Sequence, residues 1–595
     1  MNRKKTGTAS EHDLIGPIFP GYVFTYAVSS LAGCISSLID SLVVSNMLGE
    51  VSMAVIGLTG VYYTILTLLG GFFSLGTQIL CSRALSRGDR ERSSHWFSLA
   101  IETSLCVTGI LALLLILFSG EIAVVLGAPR ENTELIAQVS AFNRGFFVNL
   151  PLSILIMILT MAANLSGNKK LVTVSVILTV VTDAVLDVLA AGVLNMGIFG
   201  IALATTVANA VTVLYLILGL KKKGSGFRFS PVRFSFGEIG QITRHGLPNV
   251  VYKVMVILRT LLLNNLVMST GGTTGMGILS VLNSLSHLLM IMGTGTAGTT
   301  CLMSSVFYGE KDVKALKQVG KYTVLYALAG GGCIALLTIL LAAPLASCFT
   351  DPAGPMYGGL ITALRIYAFS IPLTAFSESM FRYAQGVGKS ACARRMAIVC
   401  QLAMALVMLL LHQLIGLAGI WASFPVGMAF SILAMIPVCF YEVRNPDTGF
   451  TEKILLLDKG ILTDNADGVE GFVRNDSDIS LLSEEVRQFC AGHGEDRKRS
   501  YFSALCMEEL GQLTLQHANA EKKTPYCHIR VYYEKNDLIL RIRDNSTVFD
   551  LTERVYREKK EDDPCANIGI RMVYSIAKEV RYVRLLNTNT LIITL

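Results

Sequence analysis

"LAGCISSLIDSLVVSNMLGE", residues 31–50, decides how this chain is read. It is apolar or small throughout except for Asp40, until Glu50 closes it. On a soluble helix one carboxylate is ordinary. At the centre of a bilayer helix it costs about 2.5–3.5 kcal/mol. The rest of the chain chooses between these settings. It has 595 residues, 52% hydrophobic and 16% charged, with a mean hydropathy of +0.55. Soluble domains carry roughly 25% charge. From residue 14 to 441 apolar runs of spanning length recur; from 442 onward charges are dense and such runs stop. The expected organisation is a membrane domain followed by a soluble domain of about 150 residues.

A hydrocarbon core takes about 20 mostly apolar residues per helix. Twelve spans are expected, near 17–46, 52–80, 94–118, 135–164, 170–194, 198–220, 238–268, 276–306, 320–348, 360–384, 393–415 and 418–441. Basic clusters follow only even-numbered spans: Arg83, Arg87, Arg90 and Arg92; Lys221, Lys222 and Lys223; Lys311, Lys314 and Lys317; Lys389, Arg394 and Arg395. With Arg3, Lys4 and Lys5 ahead of span 1, the positive-inside rule places both termini in the cytoplasm. The basic start lacks a signal-peptide core and reads as a short tail, 1–16. The thirteen cysteines form no CxxC pair and no zinc spacing, so a disulfide or metal scaffold is not expected.

The chain repeats. "FNRGFFVNLPL" (142–152) matches "ALRIYAFSIPL" (363–373). Arg144 and Arg365, Pro151 and Pro372, Gly167 and Gly388, and Gly88 and Gly309 all stand 221 residues apart. Two homologous halves of six spans each must share one topology. They are parallel repeats about an axis along the membrane normal, a plan on which transporters rock two bundles about a central site. The fold class is an all-α polytopic membrane domain of 12 transmembrane helices in two parallel six-helix repeats, an N-lobe at 17–220 and a C-lobe at 238–441. Glycine-rich "STGGTTGMG" (269–277) reads as the turn between spans 7 and 8, and "GTGTAGTT" (293–300) as a close-packed stretch of span 8.

Asp40, Asp183, Asp187 and Glu378 fall inside predicted spans. Asp183 and Asp187 are four apart and share a helix face. Buried membrane carboxylates face a bundle interior or wet cavity and read as ion or proton sites. Like charges in low dielectric repel, so a cluster of them favours an arriving cation. In the C-lobe, span 7 carries Lys253 and Arg259, and span 10 carries Glu378 and Arg382. Deep basic groups need partners or an anionic ligand. Structural pairing, such as Glu378 with Lys253, and a cavity for anionic or zwitterionic substrates both stay open.

The membrane part resembles the multidrug and toxic compound extrusion (MATE) family. The resemblance rests on "SLIDSLVVSNMLGEVSMAVIGL", "SRGDRERSSHW", "VTDAVLDVLAAGVLNMGIFGIALATTVANA" and "QGVGKSACARR". It implies a cation site in the N-lobe built from an acid on span 1, two polar or acidic residues four apart on span 5 and a hydroxyl on span 6. Those positions here are Asp40, Asp183, Asp187 and Thr205. An amide is common at the position of Asp183, and the acid here adds negative charge. The implied activity is antiport of a small organic molecule against H⁺ or Na⁺, with no tightly bound cofactor, in the inner (plasma) membrane of a bacterium.

After a linker at 442–475, residues 476–595 read as helix, helix, hairpin, helix, hairpin: an α+β sandwich. This tail resembles the histidine-kinase-type (GHKL) ATPase fold, in its anti-sigma-factor serine-kinase branch, through "CMEELGQLTLQHA", "RDNSTVFD" and "NIGIRMV". The resemblance implies ATP or ADP near Glu508, Glu509, Asp544, Asn545 and Gly569. An acid after a strand can accept from an adenine amine, and N–H groups at a helix start can hold phosphate. Two positions depart: aligned on His517, the Mg²⁺-holding Asn falls on Leu513, and Asn567 replaces the first glycine of the second box. Leu cannot ligate Mg²⁺, so turnover is not expected. The expectation is a regulatory module that binds nucleotide or a cytoplasmic protein; no nucleic-acid partner is expected. The competing reading makes the whole chain a membrane sensor whose transporter-like body controls a kinase-like module.

Overall fold

A computed structural model of the chain describes residues 15–48, 50–59, 61–126, 130–221, 227–232, 235–466, 468–520, 527–534, 537–547 and 568–595. The basic start, Lys222, Lys223, the hairpin turn at 535–536 and Asn567 lie outside them. The N-lobe runs through α1 (Ile15–Met47), α2 (Glu50–Thr59), α3 (Val61–Ser86), α4 (Arg90–Leu117), α5 (Ser119–Val125), α6 (Thr133–Leu165), α7 (Lys169–Val188) with a π turn to Val193, and α8 (Gly197–Lys221). The C-lobe follows as α9 (Phe236–Leu289), α10 (Ile291–Gly309), α11 (Val313–Leu325), α12 (Gly331–Leu340), α13 (Ala342–Ser347), α14 (Tyr357–Ala368), α15 (Ser370–Gly386) and α16 (Ser390–Glu442). Among the described residues nine helices are long and apolar enough to cross a membrane, ten if the bent pair α14–α15 is one span.

At 54 and 53 residues, α9 and α16 would be about 80 Å long if straight, against a core of about 30 Å. Neither is straight. Gly272 (φ 55°) and Gly416 (φ 59°) take the left-handed conformation that glycine adopts without strain. A Cβ on Gly275 would touch Val267, and one on Gly419 would meet the Leu411 carbonyl. Positions eight apart on a straight helix are about 12 Å away from each other. Both helices therefore fold back on themselves, the first inside the glycine-rich stretch 269–277.

Helix starts follow from short polar caps. Asp89, Asn132, Asn168 and Asp312 accept from the backbone N–H groups of Arg92, Leu135, Leu171 and Ala315. Gly88, Gly167 and Gly388 make left-handed turns just before helices. In the second half the turn matching Gly88 is made by Lys311 (φ 55°) rather than by Gly309. Gly309 serves contact instead, lying against Ser86 and Arg83 of the other lobe.

The two lobes share one apolar core at the end bearing the C-terminal domain, with Leu85 and Ile154 from the N-lobe and Leu302, Phe307 and Tyr383 from the C-lobe. Two other clusters are each confined to one lobe: Val44, Tyr62 and Phe146 in the N-lobe, and Leu263, Leu364 and Trp421 in the C-lobe. The lobes are thus sealed together at the tail end and packed separately beyond it. At the seal Gln78 Nε2 donates to Cys301 Sγ (3.7 Å) and Arg83 Nη2 to the Val387 carbonyl (3.0 Å). A Cβ on Gly295 would lie 2.7 Å from the Val23 carbonyl oxygen, so only glycine admits this approach of α10 to α1.

Among the described residues, the C-terminal domain holds a five-stranded antiparallel sheet in the order β1-β2-β3-β5-β4. The strands are β1 (Gly468–Val473), β2 (Cys527–Glu534), β3 (Asp537–Asp544), β4 (Glu579–Leu585) and β5 (Thr588–Thr594). Helices Asp476–Gly492, Arg497–Ala520 and Ile568–Ile576 cover one face over a core of Ile479, Val486, Met507, Ile529, Leu540 and Ile593. Strand β1 lies within the segment expected to be linker. "GVEGFV" has two glycines and too little alternation to announce a strand, and it is fixed by pairing with β2.

Candidate functional site

The N-lobe acids converge. Asp40 comes from the far half of α1, Asp183 and Asp187 from one face of α7, and these helices pack together. Each of the three offers a carboxylate oxygen within 4.8 Å of the others, and all three are buried, Asp187 completely. Ser36 Oγ donates to Asp183 Oδ2 at 2.6 Å, and the Tyr63 hydroxyl lies 3.5 Å from Asp40 Oδ2. Thr205, on α8, reaches Asp183 and also donates to the Ile201 carbonyl. Among the described residues, one oxygen of Asp40, one of Asp183 and both of Asp187 have no donor beyond what the neighbouring carboxyls can offer one another. Three buried carboxylates this close repel strongly unless protons or a cation join them. Oxygens up to 4.8 Å apart can be spanned by one hard cation with ligand distances of about 2.3–2.6 Å.

Ser36 and Tyr63 were not among the sequence-predicted residues. Ser36 stands four before Asp40, so the shared helix face could have pointed to it. Tyr63 comes from another helix, and nothing in the sequence ties it to Asp40.

In the C-lobe, Lys253, Glu378 and Arg382 gather around Tyr252. Arg382 Nη1 also donates to Gln385 Oε1 (3.0 Å). Arg259 joins them at Tyr252 and also lies near Tyr367. Glu378 lines a narrow cleft, about the size of a single water, with Tyr252, Phe381, Gln401 and four methionines, Met396, Met404, Met428 and Met435. Tyr252 and Phe381 stack at 4.7 Å.

In the C-terminal domain, Leu513 packs against the core. Asp544 is engaged internally: one carboxylate oxygen accepts from the Ser546 N–H (2.9 Å) and Asn589 Nδ2 (2.9 Å). Glu508 lies near Ser483. Glu509 shares its helix with Glu508, Asn545 follows β3, and Gly569 opens the helix Ile568–Ile576. Residues 548–567, which would complete a nucleotide site, lie outside the described residues.

A family model, MatE, matches residues 26–189 and again 248–411, one copy in each lobe. This chain belongs to the MATE family. Relatives include the multidrug export proteins MepA of Staphylococcus haemolyticus and Staphylococcus saprophyticus. The first is 24% identical over 428 residues, 70% of this chain and 91% of the relative. The second is 24% identical over 401 residues, 66% of this chain and 87% of the relative. Among solved structures, a MATE in the bent conformation has a TM-score of 0.65 at 20% identity, covering 73% of this chain and 98% of its own. The Vibrio cholerae MATE transporter VcmN in the bent form has a TM-score of 0.65 at 18% identity, covering 71% and 96%. The membrane domain thus has the MATE fold; both matched MATE copies end before the C-terminal sheet domain.

Proposed function

We propose that the protein is a secondary antiporter that exports a small organic molecule in exchange for H⁺ or Na⁺, with Asp40, Asp183, Asp187 and Thr205 as the coupling site. The observation that carries this reading is the meeting of three buried carboxylates between α1 and α7. A cation among them offsets their repulsion and draws α1 toward α7; its departure lets the helices part. That makes cation occupancy and helix position one variable, which is what coupling requires. The export named for the MepA relatives supports a small organic substrate.

Twelve crossings follow if the ten candidate spans are counted with α9 and α16 each folded into two. An even number puts both ends on one side. Arg87, Lys311 and Lys314 border the C-terminal domain, and the positive-inside rule makes that side the cytoplasm of the inner (plasma) membrane. The C-lobe cleft is the substrate site in this reading, in a state wider than the one described: unbranched methionines adapt to varied apolar shapes, the Tyr252–Phe381 stack offers a flat partner, and Lys253, Glu378 and Arg382 set its polarity. The C-terminal domain is read as regulatory, with ATP, ADP or a cytoplasmic protein as its ligand. The internal hydrogen bonds of Asp544 and the packing of Leu513 support a role without turnover.

The test is flux in proteoliposomes under imposed pH or Na⁺ gradients, with cationic and anionic dyes. Gradient-driven efflux that Asp40→Asn abolishes supports the antiporter. Efflux indifferent to Asp40→Asn contradicts it.

A further inference from the structure

The C-terminal domain touches both lobes, with different parts of its sheet. Toward the C-lobe, the face opposite its helices carries Arg530, Arg541 and Arg543. Arg530 and Arg541 stand directly opposite in the β2–β3 register, which opposes pairing in a bare sheet. The loop between α10 and α11 answers them. Arg543 pairs with the buried Glu310, Arg541 Nη1 donates to the Glu310 carbonyl (3.1 Å), and Arg530 Nη1 to the Lys311 carbonyl (3.4 Å). Lys311 also pairs with Glu534 at 2.9 Å.

Toward the N-lobe, the β4–β5 hairpin inserts its tip. Leu586 and Asn587 form the turn at φ 52° and 67°, a conformation disfavoured for leucine. Leu586 is nevertheless only 2% exposed, because with Val583 and Leu585 it joins the apolar core that seals the two lobes. Its N–H donates to the Leu165 carbonyl at the end of α6 (3.3 Å). Beside it, Arg581 Nη1 donates to the Arg87 carbonyl (2.9 Å), and the Arg90 guanidinium lies over the Tyr582 ring (5.3 Å).

Both contacts sit over the closed end of the lobes, where Gln78 meets Cys301. Alternating access requires that seam to part. One compact domain fixed to both sides opposes the parting. We propose that the C-terminal domain is an intramolecular clamp that docks reversibly: docked on both lobes, it holds the tail face shut and slows the transporter by holding it open on the opposite face, and release of either contact speeds turnover. This rests on the antiporter reading above and adds how the domain regulates it.

The seam carries its own reporter. Cys301 is buried at the lobe boundary and becomes reachable when the seam opens. In the full-length protein, alkylation of Cys301 by N-ethylmaleimide, followed by peptide mass spectrometry, reads seam opening without any substrate. Two release variants, Arg543→Ala and Leu586→Asp, are expected to speed labelling on the order of tenfold. A protein tethered at both contacts, Arg87→Cys with Arg581→Cys and Lys314→Cys with Glu470→Cys, each pair joined by a bis-methanethiosulfonate and with Cys106, Cys333 and Cys348 replaced by Ala, is expected to label slowly and transport nothing until reduced. Equal labelling in native, released and tethered protein overturns the clamp, as does full transport by the tethered form. The readouts separate the two readings. Labelling that responds to release while Asp40→Asn leaves flux intact rejects the coupling site and keeps the clamp; the reverse pattern rejects the clamp alone.

Discussion

Asp40 on α1 and Asp187 on α7 bring carboxylate oxygens within 4.8 Å of each other, and Asp183 closes the triangle. No arrangement of three ionised carboxylates is stable there without a proton or cation. Asp40→Asn removes one charge and one oxygen ligand. It is expected to abolish gradient-driven efflux while membrane insertion, read by surface expression, is unchanged.

Ser36 donates its hydroxyl to Asp183 at 2.6 Å. Losing a partner to a buried polar group costs about 1–3 kcal/mol. Ser36→Ala is therefore expected to change the half-saturating concentration of the coupling ion by roughly tenfold with maximal flux nearly kept. An ion titration of proteoliposome flux measures it; an unchanged midpoint removes Ser36 from the site.

Much of this was legible in the sequence because the causes are local. Acids inside apolar runs, a register of 221 residues and basic loops after even spans each follow from the period of a helix and the cost of charge in lipid. What escaped was set by tertiary contact. Tyr63 reaches Asp40 only because α3 packs beside α1. The αL turn at Lys311 broke the register that Gly309 suggested, and β1 exists only because β2 offers it an edge. The docking of Arg530, Arg541 and Arg543 on the transporter could not be read from alternation, which showed them only as the polar face of a strand.

Gly295 lets α10 reach α1 with nothing between a would-be Cβ and the Val23 carbonyl. Gly295→Val should hold the seam apart. Faster Cys301 alkylation and reduced flux are expected together; labelling at the native rate would show that the seam tolerates the side chain.

Glu310 and Arg543 are both nearly inaccessible, at 0% and 5% side-chain exposure. Breaking one partner of such a pair costs about 3–5 kcal/mol because the other is left buried and charged. Each single Ala variant is expected to release the domain more than the double variant does. Limited proteolysis of the linker 443–449 in the full chain measures release; additive effects would place the two residues outside one interaction.

His528 sits in the docked interface among Asp312, Glu470, Arg530 and Arg543, and burial holds its pKa down at about 4. The released domain returns it to its ordinary value of about 6.5. The released state then binds more protons, so docking is fully present above about pH 6.5 and weakens as pH falls toward 4. Linker proteolysis should rise across that window and lose this dependence in His528→Asn.

The most direct test of the central claim is dye efflux from proteoliposomes under an imposed pH or Na⁺ gradient, comparing the native protein with Asp40→Asn at equal incorporation. Efflux that follows one gradient in the native protein and vanishes in the variant is the result expected of a carboxylate-coupled antiporter. Equal efflux from both would show that the buried triangle does not couple transport.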